Sequence, residues 1–114
     1  QMFMPGKPQI WYLDLFAGKN DHEAVQRAGE SGHKEINRTN LSTDQITEGL
    51  KKDVVQKQLA LIRMRNTHKA FSEGAEVAIF GGESSLEIRW EYNSAFATLY
   101  VNFESGTYTI VESR

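Results

Sequence analysis

The chain has 114 residues, 39% apolar and 25% charged, a balance that suits one small folded domain and not a disordered tail or a membrane span. Thirteen Lys and Arg against fifteen Asp and Glu leave a net charge of -2, which provides no polybasic field, so neither nucleic acid nor a membrane is expected as a partner. Cysteine is absent, which excludes a disulfide framework or a thiolate metal site and suits a reducing cytoplasm.

In chain order, Gln9-Ile10-Trp11-Tyr12-Leu13-Asp14-Leu15-Phe16 comes first and is apolar at almost every position. A strand buried on both faces reads this way, as strands of parallel sheets do. Such a strand needs parallel neighbours, and the few residues before it supply none. Residues 9–16 are therefore expected either to self-associate into a homo-oligomer or to fold onto the chain's own helix and sheet.

Residues 17–41 are rich in Gly and charge, with one short helical turn expected near 21–28. A connection of that length is functional or disordered. Ser42 and Gln45 then have the spacing of a capping box, starting a helix that runs to about Asn66 with a break near Gly49 to Lys52. Val55, Leu59 and Ile62 recur on one face with Val54, Leu61 and Met64 beside them. Lys51, Lys52, Lys57, Arg63 and Arg65 are expected mainly outside.

From Glu76 the period changes to two, with Leu86, Ile88, Trp90 and Tyr92 facing one way and Glu87, Arg89 and Glu91 the other. Turns at Gly81-Gly82, Asn93-Ser94 and Ser105-Gly106 predict a four-stranded antiparallel meander over 76–80, 86–92, 95–103 and 107–112. Trp90, Tyr92, Phe96 and Tyr100 suit either a carbohydrate-binding platform or ordinary packing against the 42–66 helix. Packing is favoured, because they alternate with charge.

These periods give an α+β chain. Residues 1–71 read as the last strand, loop and helix of a (β/α)8 barrel, and residues 72–114 as an antiparallel β domain. In such barrels the loops after the strands build the active site, so loop 17–41 is expected on the catalytic face. Asp14, Asp21 and Glu23 lack the closed pocket that catalytic carboxylates need and read as structural or solvated. His22, His33 and His68 have neither the spacing nor the carboxylate partners of a metal site, so no metal and no cofactor is expected.

Several stretches also carry a family likeness: Pro5-Gly6-Lys7-Pro8-Gln9-Ile10-Trp11-Tyr12, Ala17-Gly18-Lys19-Asn20-Asp21, Glu35-Ile36-Asn37-Arg38 and Ala60-Leu61-Ile62-Arg63-Met64-Arg65-Asn66. Together they resemble the carboxyl-terminal portion of sucrose phosphorylases, of the α-amylase superfamily of glycoside hydrolases. The likeness covers residues 1–71 and continues in kind through the β segment. It implies a barrel enzyme that converts sucrose and inorganic phosphate to α-glucose 1-phosphate and fructose with retention, through a covalent glucosyl intermediate. The reacting carboxylates of that family follow earlier barrel strands, so no catalytic residue is expected here and the isolated chain should be inactive.

Where the family pattern has Arg-Asp-Ile-Asn-Arg, this chain has Lys34-Glu35-Ile36-Asn37-Arg38. The first arginine's forked contact to glucosyl hydroxyls is thereby replaced by a point charge. Lys34 beside His33 suits a phosphorylated acceptor, which puts sucrose 6'-phosphate level with sucrose as the implied substrate. The implied substrate-binding residues are Lys34, Arg38, His33 and Asp21.

Overall fold

A computed structural model describes all residues, 1–114. It contains two compact units, one of residues 9–60 and one of residues 1–8 with 61–114. The division falls inside a helix.

The first unit holds α1 (Tyr12–Leu15), α2 (His22–Ala28), a 3-10 turn (Gly29–Glu35), α3 (Thr43–Leu50) and the start of α4 (Asp53–Thr67). The strand expected over residues 9–16 is absent: Gln9 to Trp11 lie outside regular structure, and the chain then makes one helical turn. Extended backbone without a neighbouring strand leaves its N–H and C=O groups unpaired, whereas a turn closes them locally. The closure is a Schellman motif. The Gly18 N–H donates to the Leu13 carbonyl at 2.9 Å and the Ala17 N–H to the Asp14 carbonyl at 3.1 Å, with Ala17 left-handed at φ 48°. Side chains also reach the carbonyls of residues 14–17. Gln58 donates Nε2–H bonds to the Asp14 and Leu15 carbonyls at 3.2 and 3.3 Å, and the Lys52 Nζ donates to those of Phe16 and Ala17 at 3.2 Å each. Leu13 is buried beneath, so the segment is satisfied within its own unit.

The capping box forms as read. The Gln45 N–H donates to the Ser42 Oγ at 3.2 Å, and the Ser42 N–H to the Gln45 Oε1 at 2.8 Å. The helix break also falls as expected, at Lys51 and Lys52 between α3 and α4.

The second unit is built on β1 (Glu76–Gly81), β2 (Ser85–Tyr92), β3 (Ala95–Asn102) and β4 (Thr107–Glu112), an antiparallel sheet in the order β1-β2-β3-β4. Asn93, left-handed at φ 54°, makes the two-residue β2–β3 turn. The wider β3–β4 turn closes with Gly106 at φ 64° and an Asx bond from the Ser105 N–H to the Asn102 Oδ1. One face of the sheet forms the core: Ile88, Trp90 and Ala97 are buried with Phe3 and Ala70, and Met64, Phe71, Leu99 and Ile110 pack against them.

The amino-terminal residues belong to this core. Phe3 is 3% exposed and stacks edge-on against Phe71 at 5.4 Å, and the Trp90 indole N–H donates to its carbonyl. Arg65, expected outside, instead lays its guanidinium over two adjoining rings. Its guanidinium lies 4.5 Å from the Phe71 ring centre and 4.2 Å from that of Trp90, and its Nη2 donates to the Gly6 carbonyl at 2.9 Å. Desolvation by this burial lowers its pKa. The carboxyl end is tied down by His68. Its Nδ1 accepts from the Ala70 N–H, so the protonated Nε2 donates to the Ser113 carbonyl at 2.9 Å.

Candidate functional site

Loop 17–41 is ordered by its own backbone and by two aromatic side chains. The Trp11 indole N–H donates to the Asn37 carbonyl and the Tyr12 hydroxyl to the Thr39 carbonyl, each at 2.9 Å. Thr39 in turn donates its hydroxyl to the Lys19 carbonyl at 3.0 Å, and the Asp21 N–H donates to the Ile36 carbonyl at 2.7 Å. These bonds bring the 17–21 and 36–39 ends of the loop together. Lys19 to Glu23 and Thr39 line an open depression between those ends.

The four implied substrate-binding residues differ in how free they are. Asp21 caps α2, accepting from the Ala24 N–H at 2.8 Å, and lies 3.7 Å from the Arg27 guanidinium. That occupies it structurally. Arg38 is exposed and pairs with Glu35 at 3.1 Å, an exposed bridge of little energy that a competing anion can displace. His33 and Lys34, in the 3-10 turn, are exposed and engage no other side chain of the protein. Lys34 and Lys19 are therefore the unpaired cations of this loop, and Lys19 lines the depression. No group of three or more His, Cys, Asp or Glu side chains is placed to hold a metal ion.

Trp11, Tyr12, Lys52 and Gln58 were not among the candidates, yet they set the loop's course. Trp11 and Tyr12 read as buried strand residues by hydropathy. Their polar tips are what signals the actual role, since a ring N–H or O–H seeks an acceptor even when the ring packs.

No family model matches the chain. Among curated proteins it is 48% identical over 110 residues to a sucrose 6(F)-phosphate phosphorylase of Ilumatobacter coccineus, covering 96% of this chain and 21% of that protein. It is 39% identical to a sucrose phosphorylase of Agrobacterium vitis, covering 99% of this chain and 22% of the relative. The crystal structure of sucrose 6F-phosphate phosphorylase from Thermoanaerobacter thermosaccharolyticum superposes with a TM-score of 0.88 at 36% identity, over 100% of this chain and 23% of that one. Along its whole length the chain is similar to sucrose phosphorylases and sucrose 6(F)-phosphate phosphorylases. It spans about a fifth of the length of these relatives and matches their carboxyl-terminal region. The family resemblance read from the Ala17-Gly18-Lys19-Asn20-Asp21 and Ile36-Asn37-Arg38 stretches is thus borne out across the full chain. The α+β content with a four-stranded antiparallel sheet is present as well.

Proposed function

We propose that this chain is the carboxyl-terminal part of a retaining glucosyl-transferring phosphorylase that acts on sucrose, or on its 6'-phosphate, with inorganic phosphate. The observation that supports it is likeness along the whole chain to phosphorylases of both specificities, together with an ordered loop that leaves Lys19 and Lys34 unpaired. In this reading residues 1–71 contribute the last strand, loop and helix of a (β/α)8 barrel. Residues 9–11, outside regular structure here, gain strand partners from the rest of the barrel, and loop 17–41 lies on the substrate face.

Retention requires two displacements at the glucosyl carbon. The first forms a glucosyl ester on an enzyme carboxylate as fructose departs with a proton from a carboxylic acid. In the second, phosphate oxygen attacks that carbon and releases the carboxylate. Both carboxyl groups lie outside this chain in the proposed reading. Lys34 and Arg38 act by charge: they hold substrate hydroxyls or phosphate oxygens through charge-assisted hydrogen bonds and perform no proton transfer. Asp21 acts by holding α2 and the loop in place, and His33 adds a second donor beside Lys34.

The test is an assay of the enzyme encoded by the complete reading frame, following glucose 1-phosphate from sucrose and from sucrose 6'-phosphate in the presence of phosphate. Turnover of either supports the reading, and turnover of neither ends it. The isolated 114 residues should give none with either sugar.

A further inference from the structure

The sheet face opposite the core carries a second polar and aromatic arrangement, made wholly of residues of the second unit. The strand register aligns Phe80, Glu87, Tyr100 and Thr109 in one row across all four strands. Two residues further along, Ser85, Asn102 and Thr107 form the next row on that face. Between the rows lies a trough of about 390 Å³, within the size range of small-molecule sites. Gly82 contributes no side chain to the polar row, and the Ser85 hydroxyl lies where its Cβ would stand.

We propose that this trough binds a neutral saccharide. Phe80 is 60% and Tyr100 43% exposed, so each offers a ring to the C–H face of a sugar. Glu87 stands between the two rings and forms no ion pair, which leaves its carboxylate to accept from hydroxyls. The Asn102 Oδ1 is taken by the Ser105 N–H, which leaves its amide N–H groups to donate. No Lys or Arg lines the trough, so a phosphorylated or otherwise anionic ligand finds no counter-charge there. A protein partner fits less well, because the exposed rings are separated by hydrogen-bonding groups and the neighbouring Phe96 is covered by the Arg89 guanidinium 4.8 Å from its ring centre. The site lies wholly in the second unit and stands independently of the phosphorylase reading.

A titration of the 114-residue chain with sucrose and, separately, with glucose 1-phosphate, followed by amide ¹H–¹⁵N shifts, tests the proposal. Sucrose should give saturable millimolar shifts centred on Glu87, Tyr100 and Asn102, and glucose 1-phosphate should bind there no more tightly. Tyr100→Ala, at an exposed position, should keep the circular dichroism of the parent and weaken sucrose binding about tenfold. Glu87→Gln, which keeps the shape but weakens the acceptor, should weaken it by less. Shifts that do not saturate, that fall only on residues 17–41, or that survive Tyr100→Ala unchanged overturn the proposal. So do shifts at the trough that follow protein concentration without sugar, which mark a second copy of the chain as the occupant.

Discussion

The Trp90 indole N–H donates to the Phe3 carbonyl at 2.6 Å, joining residues 87 positions apart and making the amino-terminal segment part of the β unit. The donor and acceptor are both buried, so neither has water as a substitute partner. Trp90→Phe keeps a ring in the core but leaves the Phe3 carbonyl unpaired, and should cost about 1–3 kcal/mol of stability. Urea unfolding followed by far-UV circular dichroism measures this. An unchanged midpoint would show that the amino-terminal segment is not held through this bond.

Arg65 supports the same segment from the other side. Arg65→Leu retains an apolar stem but removes the cation over Phe71 and Trp90 and the bond to Gly6; the expected loss is about 2 kcal/mol. Arg65→Lys should recover less than half of it, because an ammonium cannot lie flat over two adjoining rings while donating to a carbonyl. Thermal unfolding of the two variants and the parent, compared at one pH, decides the matter.

The turn after α1 is held against its own backbone preference. Ala17 occupies the left-handed position that glycine fills without strain, so Ala17→Gly should raise stability by about 1 kcal/mol. The next residue has the opposite requirement. A Cβ on Gly18 meets the side chain of the buried Leu13, and Gly18→Ala should cost about 1–3 kcal/mol. The pair is measured by chemical denaturation, and the same sign for both substitutions would refute the account of this turn.

Ser42→Ala removes one of the two reciprocal bonds of the α3 capping box and should destabilise the chain by about 1 kcal/mol. Ser42→Asp keeps an acceptor at the same place and should restore most of that loss. Urea midpoints of both variants check it.

In the enzyme encoded by the complete reading frame, Lys34→Ala should lower kcat/KM by about 1.5–3 kcal/mol of transition-state stabilisation, the size of a charge-assisted hydrogen bond. If Lys34 reads the acceptor phosphate, the loss appears with sucrose 6'-phosphate and is small with sucrose. Arg38→Ala should lower kcat/KM for both sugars. Values within twofold of the parent for both sugars would remove the two residues from the substrate face.

Local chemistry along the sequence determined the capping box at Ser42, the break at Lys51 and Lys52 and the four-stranded meander, because each rests on neighbours a few residues apart. The family motifs in loop 17–41 were equally legible, since they need only residue order. Residues 9–16 were misread because hydropathy reports that side chains seek burial and not which backbone partners are at hand; without a neighbouring strand, the turn closed by Gly18, Lys52 and Gln58 takes over. Only tertiary structure decided that Arg65 lies over two adjoining rings and that Asp21 is held as a cap while Lys34 stays free. Periodicity assigns a charged residue to the outside of a helix by default. Whether its stem and cation are instead drawn inward depends on aromatic faces supplied by residues 71 and 90, and no local pattern carries that separation.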